Sequence, residues 1–194
     1  IPSQLARENK KFLYSAAKNG ARAREYENAL NWLVNADMVK KVYAVTKPGL
    51  PVSAYEDLAA FKIYMGDIGL LRKKSVVGYE AFLKQSDIFT EFKGAFTENY
   101  VLQSLIPSSE APIHYWKDSR YEVDFILQKD NDIIPVETKS GKSVKTPGMK
   151  HYGQYYQPRL MLRASMRNLS FDGEILNIPL FLISEWRRLI GKFE

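Results

Sequence analysis

The stretch Tyr121-Glu122-Val123-Asp124-Phe125-Ile126-Leu127-Gln128, Lys129-Asp130-Asn131-Asp132, Ile133-Ile134-Pro135-Val136-Glu137-Thr138-Lys139 does most to limit how this chain can fold. Two β-branched and aromatic runs flank a turn rich in Asp and Asn, so the segment predicts an antiparallel hairpin. With the turn centred between Asp130 and Asn131, directly paired residues have numbers that sum to 261, which sets Asp124 opposite Glu137 and Glu122 opposite Lys139. Strand side chains alternate between faces, so Val123, Phe125, Leu127, Ile134, Val136 and Thr138 fall together on the other, mostly apolar face.

Directly opposed residues in such a hairpin have Cβ atoms about 4.5–5.5 Å apart, close enough for two carboxylates to destabilise the pair. A divalent cation would offset that repulsion, because hard carboxylate oxygens are the ligands Mg²⁺ prefers, and Asp124 and Glu137 are the candidate metal ligands. Mn²⁺ would suit the same oxygen donors. Lys139 lies two residues beyond Glu137, about 7 Å along the strand at roughly 3.4 Å per residue. An ammonium there could orient a water beside the metal and offset charge developing on a phosphate oxygen. A purely structural account fits the same residues: Glu122 and Lys139 form a cross-strand ion pair, and Asp124 is satisfied by a backbone amide or a shifted register.

Upstream, Ser3 can cap a helix running through Leu5, Phe12, Leu13 and Ala16 to Asn19-Gly20, and Ala23, Tyr26, Ala29, Leu30, Leu33 and Val34 recur at helical spacing in a second. The β-branched run Val39 to Val45, the loop Thr46-Lys47-Pro48-Gly49-Leu50-Pro51 and the alternating Phe61 to Met65 then read as strand, loop and strand. Helix, turn, helix and strand–loop–strand is the order of a winged helix-turn-helix. Residues 1–75 hold 13 basic and 7 acidic side chains, against 15 of each in residues 76–194, so the net charge of +6 belongs to the N-terminal part. Lys10, Lys11, Lys18, Arg22, Arg24, Lys40 and Lys41 are the candidate nucleic-acid contacts, and Lys47 sits on the wing. A winged helix docks proteins as readily as it reads DNA, and a solvated basic face accounts for the same charges.

A connector from Asp67 and the basic cluster Arg72-Lys73-Lys74 lead to a division near residue 78, giving a winged-helix unit over 1–77 and a second unit over 78–194. In the second, a helix is expected from Phe89 to Leu105, strands at Ile113–Lys117 and over the hairpin, and a helix near Pro147–Tyr156. A run at Arg159–Leu162, a strand near Ile178–Ile183 and a final helix capped by Ser184 complete the order. This is an α/β (α+β) chain, with a mixed sheet flanked by helices.

The sequence has no cysteine, which removes disulfides, thiolate zinc sites and Cys nucleophiles and fits a cytoplasmic setting. His114 and His151 are the two histidines, so a histidine-rich metal site is excluded; His114 reads as structural, and His151 has no partner at ligand spacing. No run approaches the roughly 18 apolar residues that span a bilayer, so no membrane partner is expected. Because the chain begins Ile1-Pro2-Ser3, it is expected to be part of a longer protein.

Asp124, a gap of twelve residues and then Glu137-Thr138-Lys139 resembles the Asp…(Asp/Glu)-x-Lys signature of the restriction-endonuclease-like, or PD-(D/E)XK, nuclease superfamily. A longer text, Lys93-Gly94-Ala95-Phe96-Thr97-Glu98-Asn99-Tyr100-Val101-Leu102, Tyr115-Trp116, Glu122-Val123-Asp124-Phe125 and Pro135-Val136-Glu137-Thr138-Lys139-Ser140-Gly141, resembles the C-terminal domain of unknown function that follows a P-loop AAA-type ATPase domain in many bacterial and archaeal proteins. Gly20-Ala21-Arg22-Ala23-Arg24-Glu25-Tyr26 and Lys47-Pro48-Gly49-Leu50-Pro51 through Ala54-Tyr55-Glu56-Asp57 are similar to the winged-helix segment of those proteins. The resemblance implies Asp124 and Glu137 as metal-binding acids for Mg²⁺ or Mn²⁺, Lys139 as the catalytic lysine, and Glu98 as an auxiliary acid. It implies Mg²⁺-dependent hydrolysis of DNA, or a non-catalytic module of the ATPase that binds DNA or a partner protein; a third role is self-association. ATP would bind an upstream domain, since no G-x-x-x-x-G-K-[ST] occurs here: Gly141-Lys142-Ser143 lacks the earlier glycine. Gln154 is a loose match to the polar helix that often follows the lysine strand, and is carried as a second auxiliary residue.

Tyr152, Tyr155 and Tyr156, with Lys150 and Arg159, are of a kind that stacks bases and holds phosphates, although helix-to-sheet packing also accounts for them. Trp32, Trp116 and Trp186 are expected as core anchors.

Overall fold

The computed structural model describes residues 11–13, 23–75, 90–141 and 145–192. Eight strands form one mixed sheet in the order β2-β1-β3-β4-β5-β6-β8-β7. They are β1 (Val39–Val45), β2 (Glu56–Met65), β3 (His114–Lys117), β4 (Glu122–Lys129), β5 (Asp132–Lys139), β6 (Met161–Ser165), β7 (Ser170–Phe171) and β8 (Ile175–Pro179). The described helices are α1 (Ala23–Asn35), α2 (Ile68–Lys74), α3 (Thr90–Leu105), α4 (Pro147–Tyr156) and α5 (Trp186–Ile190). The mixed α/β class expected from the order of elements is the class observed.

The β4–β5 hairpin has the expected register, with Phe125 opposite Val136, Leu127 opposite Ile134 and Lys129 opposite Asp132. Asp130, at φ 53, takes the left-handed backbone that an Asx residue tolerates in a tight turn. The ladder stops at Phe125–Val136, and a bulge explains why. On β3 His114 and Trp116 are two positions apart, while their partners on β4, Ile126 and Val123, are three apart. The extra β4 residue breaks alternation. Val123 therefore packs with Ile126, Trp116 and Tyr152, not with Phe125 and Leu127 as strict alternation requires.

The main core lies between α3 and the sheet: Val101, Leu102 and Leu105 meet Phe125, Leu127, Ile134 and Val136, and Trp186 and Ile190 of α5 close one side. A second core gathers Leu30 of α1, Val39 of β1, Phe61 and Ile63 of β2 and Leu71 of α2 with Phe92 and Phe96 from the first half of α3. Thus α3 belongs to both cores. β1 pairs in parallel with β3, Ala44 to Tyr115 and Val45 to Trp116. The hairpin read as a wing continues the same sheet. The side-chain amide of Asn99 on α3 reinforces the join, accepting from Met65 N (2.8 Å) and donating to Met65 O (3.1 Å) at the end of β2.

Several local expectations are corrected. Lys11–Leu13 are not helical; Phe12 N donates to Phe61 O (2.8 Å) and the Phe12 ring stacks on Phe61, so the chain here follows β2. The rest of the first expected helix falls outside the described residues. The connector after Asp67 is the helix α2, capped by the Asp67 carboxylate accepting from Leu70 N (2.7 Å). β8 occupies Ile175–Pro179, the apolar run beyond it is a 3-10 segment over Leu180–Glu185, and the N-cap position of α5 is Glu185 rather than Ser184. Trp116 and Trp186 are buried anchors, but Trp32 is 77% exposed on the outer side of α1.

Candidate functional site

The N-terminal half of α3, the start of β4 and the end of β5 meet at a cleft of about 330 Å³ lined by Gly94, Glu98, Asp124, Thr138, Lys139, Ser140 and Gly141. The β4 bulge sets the Asp124 carboxylate on the side of α3, as it does the Phe125 ring. There Asp124 Oδ2 accepts from the backbone N and the hydroxyl of Thr138, both at 2.7 Å. This is the backbone-amide arrangement that the structural account allowed for. Glu137 is buried: its Oε1 accepts from Lys139 Nζ at 2.7 Å, while Oε2 has no hydrogen-bond partner. Burial pushes the Glu137 carboxyl up to about 8, and the Asp124 charge adds to that against the pull of Lys139.

Beneath the cleft lies a network that the sequence reading did not include. Lys62 of β2 is 0% exposed, and its ammonium reaches Glu122 Oε1 at 2.6 Å and Glu98 Oε1 at 3.0 Å. The Tyr64 hydroxyl also donates to Glu98 Oε1, at 2.5 Å. Burial alone would lower the Lys62 pKa, but the carboxylates of Glu98, Glu122 and Asp124 overcome it and hold the ammonium charged. Burial raises Glu98 to about 7 in spite of Lys62. The expected Glu122–Lys139 pair is therefore corrected: Glu122 turns to Lys62, and Lys139 turns to Glu137. A lysine in the apolar run Phe61-Lys62-Ile63-Tyr64-Met65 was the available signal, since a charge is buried only when it is paired.

Of the sequence-named residues, Glu98, Asp124 and Lys139 line one cleft, and Glu137 joins it through Lys139 and through the charges of Asp124 and Glu98. Gln154 does not join them; it lines a separate groove with Lys150, Gly153, Gln157 and Arg159 on the outer side of α4. Lys10, Lys18 and Arg22 lie outside the described residues, as does the Arg24 side chain, while Lys11 is exposed. Lys40 pairs with Asp37, and Lys41 donates to Asn31 Oδ1 at 2.9 Å and lies over the Phe61 ring. His114 meets Glu56 at 2.6 Å, which is the structural role expected of it.

Among the described residues no group of three His, Asp or Glu side chains is assembled to hold a cation. A Mg²⁺ ion bound through one or two carboxylates and several waters needs fewer protein ligands. The partnerless, buried Oε2 of Glu137 beside the charge of Asp124 is a donor set that fits such an ion.

These raised carboxyl groups make stability depend on pH. Glu137 and Glu98 keep their protons in the folded chain to about 8 and about 7, but lose them near the ordinary glutamate value once unfolded. Between those limits the folded state holds more protons, so stability is expected to fall as pH rises from about 4.5 to 8. Urea midpoints across that range in EDTA should decline, and Glu137→Gln should flatten the decline. A midpoint that rises toward pH 8 would contradict the burial of these groups.

No helix among the described residues is long and apolar enough to cross a membrane. No curated protein matches the chain at a significant level. The crystal structure of protein VC1899 from Vibrio cholerae is similar over 95% of this chain at 12% identity and a TM-score of 0.29, and the chain spans 46% of that protein's length. Residues 1–81 match the family described as Domain of unknown function (DUF8612). Residues 93–182 match the family described as Domain of unknown function (DUF4143), and Glu98, Asp124, Glu137 and Lys139 all fall within that match.

Proposed function

We propose that the cleft hydrolyses phosphodiester bonds in DNA with Mg²⁺ or Mn²⁺, within a restriction-endonuclease-like domain that serves a larger cytoplasmic ATPase whose nucleotide site lies outside this chain. The observation that carries the reading is the cleft itself, where Asp124, Lys139 and Glu98 converge and Lys139 meets Glu137 at 2.7 Å. Asp124 and Glu137 would hold the metal, which when bound supplies Lewis acidity toward a phosphate oxygen and lowers the pKa of its water. Thr138 fixes Asp124 by two hydrogen bonds, so that carboxylate needs little rearrangement to receive a ligand. Lys139 places a positive charge where a non-bridging phosphate oxygen gains negative charge as water attacks phosphorus. The water oxygen bonds to phosphorus, one ester P–O bond breaks, and the departing oxygen takes up a proton.

A second reading has its own observation. Glu98 is committed to Lys62 and Tyr64, and Asp124 Oδ2 to Thr138, a network complete enough to serve as structure alone. On that reading the domain binds DNA or a partner protein for the ATPase without cutting. The winged-helix role of the N-terminal segment belongs to either reading, as does self-association.

Incubation with supercoiled, linear and branched DNA separates the two. Cutting of at least one substrate with Mg²⁺ or Mn²⁺, abolished by EDTA, supports hydrolysis, whereas binding without cutting, also in the longer protein, supports the module. Calorimetric titration with Mn²⁺ should show weaker binding in Asp124→Asn than in the unaltered chain; equal affinities would place the metal elsewhere.

A further inference from the structure

On the face of the sheet opposite α3, the aromatic side chains of α4 and of the β3–β4 connector form a continuous series. The Tyr121 ring stacks on His151 at 4.2 Å with planes 24° apart, and His151 meets Tyr155 at 4.7 Å. Tyr155 leads to Tyr156, which packs on Tyr152 and edge-on to Trp116. Tyr152 and Trp116 are core, which anchors the inner end of the series. Its outer end is open: Tyr155 is 72% exposed, Tyr156 40% and Tyr121 36%.

Packing accounts for the inner rings but not for rings left in water. A buried platform needs no flanking charge, yet Lys117 is exposed at the end of β3, Arg120 on the connector that carries Tyr121, and Lys150 beside His151 on α4. The acid amid these residues, Asp118, is occupied by His151 at 3.3 Å. Exposed π-faces rimmed by cations match an unstacked, polyanionic strand, in which every base offers a π-face and every linkage a negative charge. A protein partner would also cover apolar rings, but the basic rim favours the nucleic acid.

We infer that Tyr121 and Tyr155, bridged by His151, form a stacking platform for the bases of single-stranded DNA, with Lys117, Arg120 and Lys150 following its phosphates. The direction in which the strand runs rests on the nuclease reading above. Tyr121 is three residues before Asp124, no more than about 10 Å along an extended chain, so a strand leaving the platform on the α4 face reaches the cleft on the α3 face by passing round the β4 end of the sheet. Gly148 keeps α4 this close to β4, since a Cβ there would lie 2.1 Å from the Glu122 carbonyl oxygen. The cleft would thereby receive single-stranded or locally melted DNA in preference to an intact duplex.

Fluorescence anisotropy with a labelled oligothymidylate, in EDTA so that nothing is cut, tests the platform apart from catalysis. The chain should bind the oligomer more tightly than a duplex of equal length. Tyr155→Ala and Tyr121→Ala should each weaken binding by about 5- to 150-fold, the range of a lost base–aromatic stack. Tyr155→Phe should restore it, and Phe181→Ala, an exposed ring on the segment before α5, should leave it unchanged. Oligomer binding in EDTA, together with no cutting under Mg²⁺ or Mn²⁺ even by the longer protein, leaves the platform standing and removes the nuclease reading. Duplex binding as tight as single-strand binding, or Tyr155→Ala binding like the unaltered chain, overturns the platform. So does loss of self-association in Tyr155→Ala, read by sedimentation, with oligomer affinity intact, because the rings then serve a protein interface.

Discussion

Glu137→Ala and Lys139→Ala are each expected to slow Mg²⁺-dependent nicking by about 10²–10³-fold, the usual loss when one group that stabilises a transition state is removed. The two act on one phosphate, and they are bonded to each other at 2.7 Å, so the double variant should be little slower than the worse single one. Single-turnover rates on whichever DNA is cut give the comparison. Loss of activity through unfolding is separable with Glu137→Gln, which keeps the volume of the buried side chain and removes the charge that burial and Asp124 disfavour. Glu137→Gln should therefore melt no lower than the unaltered chain near pH 8 while its activity collapses. A loss of only a few fold in both variants would assign the nicking to a contaminant.

Lys62→Met is expected to destabilise the fold by about 3–5 kcal/mol, the cost of leaving buried carboxylates without their cation. Methionine fills much the same volume, so the loss reads the charge rather than a cavity. Glu98 and Glu122 both depend on this one ammonium, at 3.0 and 2.6 Å, and Tyr64 offers Glu98 a single hydroxyl in its place. Because Glu98 titrates near 7 in the folded chain and higher without Lys62, the penalty should shrink toward pH 5, where a neutral carboxyl needs no counter-charge. Urea unfolding at pH 5 and at pH 8 would show it, and a loss below about 1 kcal/mol at both would mean that water reaches the network.

The Lys62 network and the Asp124 bulge show where local text stops being informative. Residues 125–136 carry their own instructions: alternating apolar side chains and an Asx-rich turn select one register, and that register is the one observed there, while the expected pairs Asp124–Glu137 and Glu122–Lys139 lie beyond the bulge and do not form. The same holds for α3 and α4, whose apolar spacing and bounding prolines mark them without reference to the rest of the chain. Asp124, Glu137 and Lys139 were legible for that reason, each being an ionisable residue at a marked position in the hairpin, whereas Glu98 was named through the family resemblance alone.

What the sequence by itself determined, then, is the set of elements whose patterns are complete within about twenty residues, together with the acids and the lysine they carry. Only the tertiary structure decided that β1 and β2 extend the sheet through the β1–β3 pairing, that Lys62 supplies the charge beneath the acids, and that a bulge against β3 turns Asp124 toward α3. Each of these depends on partners far apart in the chain: Lys62 meets Glu98 and Glu122, and Ala44 meets Tyr115. Two side chains so distant in sequence show no period and no shared motif. Their meeting follows from which apolar faces must be covered at once, a condition imposed by the whole core and written in no single segment.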